Sequence, residues 1–429
     1  MKQIEIMAPV GSYEALVAAI QAGAGSVYFG VGKLNMRSNS SQNFTLNDLT
    51  SIAEQCRENG LKSYVTINTV VFDSELETMR ELVDAVKANG ITAVIASDQA
   101  VIQYARKQGV EVHMSTQTNI TNIEAVRYYA QFADVMVTAR ELSLNQVKAI
   151  TQSIQKEQIK GPSGELVKIE IFVHGALCMA VSGKCYLSLD LLNSSANRGA
   201  CLQPCRRSYT VKDKEEQLEM EVDNEYIMSP KDLNTLAFLD RIIDAGVEVL
   251  KIEGRGRSAE YVKIVTLVYH EALEAIKQGN FSPEKVELWN QRLSSVYNRG
   301  FWDGYYLGQK MGEWTKNYGS QATHRKVYVG KINNYFQKIG VAEIKMETQS
   351  LEVGDPILVM GPTTGVYETT VSEIRVDLQP VQKTSKGEHC SLTVSQAVRR
   401  GDKVYKVVRV APLNESQEEK TPATEDTKS

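Results

Sequence analysis

The sequence predicts an α/β fold: a (β/α)8 TIM-like barrel carrying a Cys-rich insertion, followed by a small C-terminal all-β barrel domain. Three observations predict it. Eight short apolar runs alternate with amphipathic ones up to about residue 280. The 72 residues between His174 and Val247, separating the seventh run from the eighth, hold four of the six cysteines. From Lys326 to Val410 the pattern is short strands broken by turn residues.

In order, Ile4–Val10 reads as the first strand, closed by Gly11, and Ser12 opens a helix to Ala22. Ser26–Val31 is the second strand, and Leu46–Glu58 the second helix. Lys62–Val70 is the third strand. Ser74 and Glu77 then stand at capping-box spacing and open a helix to Ala88. Ala93–Ala96, Glu111–Ser115 and Asp134–Thr138 are strands with helical segments behind them. Lys168–His174 is the seventh strand and Val247–Ile252 the eighth, followed by a helix from Ser258 to Gln278. A doubly wound open sheet is the alternative, and eight strands in roughly 250 residues favour the barrel.

The expected domains are 1–280 for the barrel, including the Cys-rich insertion 175–230 with a hairpin around Ser208–Tyr226. An aromatic, Gly-rich connection (281–324) follows, irregular over Tyr297–Gly308. The β-barrel domain spans 325–410, with strands KVYVGKI, KIGVAEI, DPILVM, GVYETTVSEIRV and KVYKVVRV. Residues 411–429 form an acidic tail expected to be disordered.

The composition, 42% hydrophobic and 23% charged over 429 residues, is that of a globular protein. The net charge of −4 carries no global nucleic-acid signature. Locally, Arg325–Val410 holds 13 Lys/Arg against 9 Asp/Glu. That balance suits a polyanion partner, and equally a mixed solvated surface. No apolar run approaches the ~18 residues of a membrane span. The opening MKQIEIMAPVGSYEAL lacks a basic stretch followed by an apolar one, so a cytoplasmic protein is expected.

The cysteines Cys178, Cys185, Cys201 and Cys205 have the spacing C-x6-C-x15-C-x3-C, and Cys56 and Cys390 read as buried thiols. Disulfides are disfavoured in a reducing compartment. Zinc favours short knuckles on both sides of its site, and only Cys201/Cys205 offers one. Iron–sulfur clusters accept more varied spacing. Zinc and a redox pair stay open beside the cluster on spacing alone.

A barrel keeps its site at the C-terminal ends of its strands. There the sequence places Asn68, Gln117, Arg140, Lys251 and Arg255 as candidate substrate-binding residues, and His174 and Glu253 as candidate acid–base groups. The cations point to an anionic ligand. Ion pairing with Glu141, Glu170 and Glu253 is the competing explanation. Hydrolase signatures such as G-x-S-x-G and H-E-x-x-H are missing. A Cys/His dyad would have to come from His174 and Cys178, with nothing to single out one cysteine as nucleophile.

The stretch from Glu170 through Phe172, His174, Gly175, Cys178 and Cys185 to Ser188 has the pattern E-x-F-x-H-G-x-x-C-x6-C-x-x-S. It resembles the signature of peptidase family U32, the collagenase-like proteins. Ala8-Pro9-Val10-Gly11, Tyr28-Phe29-Gly30, Asn197 to Arg206, Ser229 to Leu233 and Leu250 to Arg255 resemble that family too, so the likeness reaches to about Val410. Members of this length resemble tRNA hydroxylation proteins, which form 5-hydroxyuridine at the wobble position and draw on prephenate and iron–sulfur assembly. Related members hydroxylate a ribosomal RNA cytidine or serve oxygen-independent ubiquinone synthesis with a [4Fe-4S] cluster. The resemblance therefore implies tRNA as partner, prephenate as a small anionic co-substrate, and Cys178, Cys185, Cys201 and Cys205 as ligands of a [4Fe-4S] cluster. A U32-type peptidase and a zinc-stabilised RNA-binding protein are the alternatives.

Overall fold

The computed structural model describes residues 3–39, 43–209, 228–309, 312–315 and 319–410. The barrel begins β1 (Glu5–Pro9), α1 (Tyr13–Gln21), β2 (Ser26–Gly30), α2 (Leu49–Glu58), β3 (Lys62–Ile67), α3 (Leu76–Ala88), β4 (Ala93–Ala96) and α4 (Gln99–Gln108). It continues β5 (Glu111–Met114), α5 (Ile123–Tyr129), β6 (Val135–Val137), α6 (Leu144–Glu157) and β7 (Lys168–Ala176). The insertion carries α7 (Leu187–Leu192) and the short β8 (Asp232–Asn234). Then come α8 (Leu239–Asp244), β9 (Val249–Ile252), α9 (Ala259–Lys277), α10 (Pro283–Ser294) and β10 (Phe301–Trp302).

The eight strands expected from sequence are β1 to β7 and β9. Each is parallel to its neighbours, and β9 pairs with both β7 and β1, which closes the barrel. β8 runs antiparallel to the end of β7, and β10 pairs with β8. These two short strands extend the wall above the mouth.

Local sequence explains the elements. β2 is buried along its whole length, as a strand covered on both faces must be. Ser12, Asp98, Asn122, Ser143 and Ser282 cap their helices by accepting backbone N–H bonds. One capping expectation is corrected. Glu75, not Glu77, reaches back, accepting from the Phe72 N–H at 2.9 Å, and a 3-10 turn precedes α3. The carboxylate that caps is the one Arg198 also holds.

Inside the barrel, Met7, Tyr28, Tyr64, Ala93, Ile95, Val135 and Val249 form a separate core. Their packing fills the lower interior, and Tyr28 and Ile95 at its top face a cavity at the C-terminal mouth.

The C-terminal domain is an antiparallel sheet of β11 (His324–Phe336), β12 (Val341–Met346), β13 (Pro356–Gly361), β14 (Gly365–Thr370), β15 (Ile374–Val376), β16 (Gln379–Val381), β17 (His389–Thr393) and β18 (Lys403–Arg409). Its order is β14-β13-β18-β11-β12-β17-β15-β16 around a core of its own. Among the described residues no ladder joins β14 to β16. The run expected as one strand over 365–376 divides into β14 and β15. A tight turn at Asp377 and Leu378, both with positive φ, then leads into β16. Asp377 suits the left-handed region, but Leu378 stands where glycine is usual, which is why the hairpin was not legible.

The sheet docks on the barrel through β14, α1 and α9. Gln21 Nε2 donates to the Thr364 carbonyl at 2.9 Å, and Lys263 Nζ to that of Val366 at 2.8 Å. Gly365 makes the close approach possible: a Cβ there would stand 2.7 Å from Val17, at a φ of 67°. The expected connection over 281–324 begins with a regular helix, α10, before the irregular aromatic stretch. Most of the hairpin expected around Ser208–Tyr226, and the tail from 411, lie outside the described residues. No helix among the described residues is long and apolar enough to cross a membrane.

Candidate active site

At the mouth a cavity of about 180 Å³ is lined by Asn68, Gln117, Arg140, Lys251, Glu253 and Arg255 from the strand ends. Cys178, Cys185, Cys201 and Cys205 line the same cavity. Ten of the eleven site residues expected from sequence therefore meet around one space. The eleventh, His174, does not.

β9 supplies the floor. Lys251 and Glu253 are two apart, so both point inward. Lys251 Nζ pairs with Glu170 Oε1 at 2.7 Å, and both side chains are buried. The ammonium also lies 4.6 Å from the Tyr28 ring centroid and 5.7 Å from that of Phe172. Arg255 donates to Thr66 Oγ1 at 2.8 Å and to Asn35 Oδ1 at 3.1 Å. Burial lowers its pKa to about 10, which leaves it cationic at neutral pH.

Glu253 accepts from Arg37 Nη2 at 2.8 Å and from the Tyr28 hydroxyl at 3.2 Å. Burial alone would raise its pKa, but the charges of Arg37 and Arg255 outweigh that and hold it below the ordinary carboxylate value. It is an ionised carboxylate, able to accept a proton. Asn68 accepts from the Met36 N–H and donates to Gln117 Oε1 at 3.4 Å, so the two amides orient each other. Arg140 donates to Ser182 Oγ at 2.8 Å and lies over Phe172, its Cζ 5.3 Å from the centroid. A strand end thus grips the cysteine loop.

That loop is tied down at several points. Arg206 donates to the Leu177 and Pro230 carbonyls at 2.6 and 2.7 Å. Arg198 holds Glu75 with both Nη atoms and lies 3.9 Å over the Phe72 ring. Asn197 Oδ1 accepts from the Cys185 N–H. Gly199, at a φ of 80°, lets the loop pass against the Asn35 carbonyl, which would stand 2.3 Å from any Cβ.

All six cysteines are free thiols, so no disulfide staples the loop. Cys178 is exposed, and Cys185, Cys201 and Cys205 are half-buried. Burial pushes the Cys205 thiol up to about 11, with Arg206 opposing and the other three thiols adding to the rise. Burial raises Cys201 too, again with Cys178 and Cys185 adding to it. The four sulfurs therefore share one neighbourhood. Among the described residues, however, no three His, Cys, Asp or Glu side chains converge as a site for a single metal ion.

His174 is corrected by a bulge. Phe172 pairs with Lys251 and His174 with Ile252, so one residue of β7 is extra. Phe172 stays inward, while His174 turns out among Tyr261, Tyr269 and Phe301. It is 1% exposed, and burial, reinforced by Arg257, lowers its pKa to about 3. A neutral imidazole packed behind the wall cannot serve as acid or base in the cavity. Among the described residues no histidine lines the cavity.

Sequence reasoning missed Arg37, Tyr28 and Phe172 as lining residues. The inward alternation Ser26, Tyr28, Gly30 along β2 was available as a signal. Arg37 lies in an irregular loop without periodicity, and nothing local marks it.

A parallel eight-stranded barrel with a carboxylate, cations and thiols at its C-terminal mouth has the layout of a barrel enzyme. Residues 11–316 match the sequence profile of peptidase family U32, and the chain belongs to that family. It is 56% identical over 406 residues to a protein of Porphyromonas gingivalis named collagenase, covering 95% of this chain and 98% of that one. It is 30% identical over 388 residues to tRNA hydroxylation protein P1 of Bacillus subtilis, covering 87% of each. A 23S rRNA 5-hydroxycytidine synthase of Escherichia coli is 35% identical over 318 residues, covering 72% of this chain and 46% of that one.

Proposed function

We propose that the chain is a cytoplasmic tRNA-modifying enzyme that hydroxylates the wobble uridine to 5-hydroxyuridine, with prephenate as co-substrate and a [4Fe-4S] cluster. The observation that carries this reading is one cavity shared by four thiols and the cationic strand ends. Relatives named for tRNA and rRNA hydroxylation support it.

The donor set fits such a cluster. A single zinc ion needs its thiolates to converge on one point, whereas a cluster takes each thiolate on a different iron. Four thiols unpaired in disulfides around one cavity are the donor set such a cluster takes. Cys178, Cys185, Cys201 and Cys205 would hold it. Bound there, it supplies one-electron chemistry.

The chain's own residues do the rest. Tyr28 and Phe172 offer aromatic faces to a nucleobase turned out of its stack. Asn68 and Gln117 can hydrogen-bond the edge of a uracil, since each amide both donates and accepts. Arg140, Lys251 and Arg255 present cations to the carboxylates of the co-substrate. Glu253, ionised, can accept a proton from a group bound in the cavity.

The test is nucleoside mass spectrometry of tRNA from a bacterial strain lacking its own tRNA hydroxylation proteins. With this chain supplied, 5-hydroxyuridine derivatives should return, and with Cys178→Ser they should not. Identical nucleosides with and without the chain contradict the reading. The name of the Porphyromonas relative favours a peptidase. Cleavage of gelatin by the purified protein that is lost in Cys178→Ser would establish that reading instead.

A further inference from the structure

Arg257 and Arg299 do not line the cavity, and the chemistry proposed above gives them no task. Their guanidinium groups share the ring of Tyr297, with Arg257 Cζ 3.6 Å and Arg299 Cζ 5.2 Å from its centroid. Both turn to the same carboxylate. Arg299 Nη1 is 3.2 Å from Asp232 Oδ1, and Arg257 Nη2 is 4.0 Å from Oδ2. The side chains of Arg299, Arg257 and Asp232 are only 11%, 18% and 2% exposed. Arg206 stands beside the group, its Nη1 donating to the Ser229 hydroxyl and the Pro230 carbonyl just before Asp232 in the chain. Its own donors go to neutral oxygens of Ser229, Pro230 and Leu177.

Two guanidinium groups thus meet one carboxylate, with a third beside them. Each carries five N–H donors in a planar fork. Arg257 and Arg299 each meet Asp232 through one nitrogen, and among the described residues neither has a second carboxylate. Two partly buried cations set on one carboxylate leave a net positive charge that an added anion would balance.

The cluster's place is informative. Asp232 pairs in register with Ala176, which lines the cavity. Arg257 follows the cavity residue Arg255 by two positions. The cluster therefore stands one step outside the mouth, beside the cysteine loop.

We propose that Arg257 and Arg299, backed by Arg206, form a phosphate-binding site on the rim of the mouth. Guanidinium forks match phosphate oxygens in bidentate fashion. The inference rests on the RNA reading for its source: a base held in the cavity leaves the adjoining phosphodiester at the rim. A small phosphorylated molecule or free phosphate offers the same chemistry.

The test uses the full chain, a short single-stranded oligoribonucleotide and inorganic phosphate. RNA affinity is followed against salt for the unaltered protein, R257Q/R299Q and R257K/R299K, and thermal melting is recorded with and without phosphate. The glutamine pair should bind RNA about tenfold more weakly, with a salt slope shallower by roughly 0.7 for each phosphate no longer neutralised. The lysine pair should keep most of the slope. Should the glutamine pair not fold, R257Q alone leaves the 3.2 Å pair intact and carries the same test. If the unaltered protein binds no RNA but is stabilised by phosphate, and R257Q/R299Q is not, the site stands for a small phosphorylated molecule and the RNA reading falls. If the glutamine pair matches the unaltered protein in RNA affinity, slope and phosphate response, the site is overturned while the RNA reading survives. No response to either probe by the unaltered protein overturns the site as well.

Discussion

The strand ends of the barrel and the cysteine loop face each other across one cavity, yet they are held in opposite ways. Lys251 and Glu170 are buried on strands hydrogen-bonded to both neighbours, Arg255 is buried in the turn just after β9, and their partners come from other strands or the adjoining loop. The loop has one short helix and two 3-10 turns, and it leaves Met179, Val181, Tyr186, Leu191 and Leu202 exposed. Its order comes from a few side-chain ties, chiefly Arg140, Arg198 and Arg206. The contrast teaches that the strand ends are fixed by the sheet itself, while the loop depends on a few side-chain ties and is the half more easily opened.

The largest effect should come from the rigid side. Lys251→Ala leaves Glu170 charged and buried without its partner, which costs about 3–5 kcal/mol. Denaturant unfolding should show it, and the double variant K251M/E170L should recover most of the loss. If Lys251→Ala unfolds like the unaltered protein, the strand ends are not the rigid half.

His174 sharpens the same comparison through pH. Its folded pKa of about 3 lies below the ordinary imidazole value of 6.5, so the neutral ring favours the fold above that value. The contribution is lost as pH falls from 6.5 toward 3. His174→Phe should flatten the acid side of the stability profile while leaving turnover at neutral pH within about threefold. A collapse of turnover without loss of stability would return His174 to the chemistry.

Arg37 links the two sides, since it holds Glu253 and feels the charge of Cys201. With Arg37→Gln, burial regains the upper hand and the pKa of Glu253 rises. The acid limb of kcat/KM should move to higher pH, while Arg37→Lys keeps most of the original profile. An unmoved limb would show that Glu253 is not the proton acceptor.

The smallest effect belongs to the loop. Arg198→Ala removes a two-point ion pair at a half-exposed site, worth about 1 kcal/mol, and barely shifts global stability. Local opening should still speed thiol labelling of the metal-free protein by about fivefold. Unchanged labelling would mean that the loop is ordered by other means.

Much of this was legible in the sequence, for a physical reason. Parallel strands covered on both faces must be apolar throughout, so all eight barrel strands announced themselves. Strand ends then placed Asn68, Gln117, Arg140, Lys251, Glu253 and Arg255 at the mouth. His174 went astray because a single extra residue at Val173 reverses the faces, and nothing in FVHG encodes that bulge. Arg37 and the Asp377–Leu378 turn were hidden because irregular backbone has no period to read. The two remaining thiols behaved as expected: Cys56 and Cys390 are 1% exposed, and burial raises each to about 12.

Everything proposed for the chemistry depends on four thiols at the cavity wall holding iron and sulfide together. The decisive measurement is iron and acid-labile sulfide content, with the visible spectrum, of the full chain prepared without oxygen, beside its four single Cys→Ser variants at 178, 185, 201 and 205. About four irons and four sulfides per chain are expected, with content and colour lost or sharply reduced in every variant. A colourless, iron-free protein that still hydroxylates tRNA, or a variant series that keeps its iron unchanged, would refute the cluster.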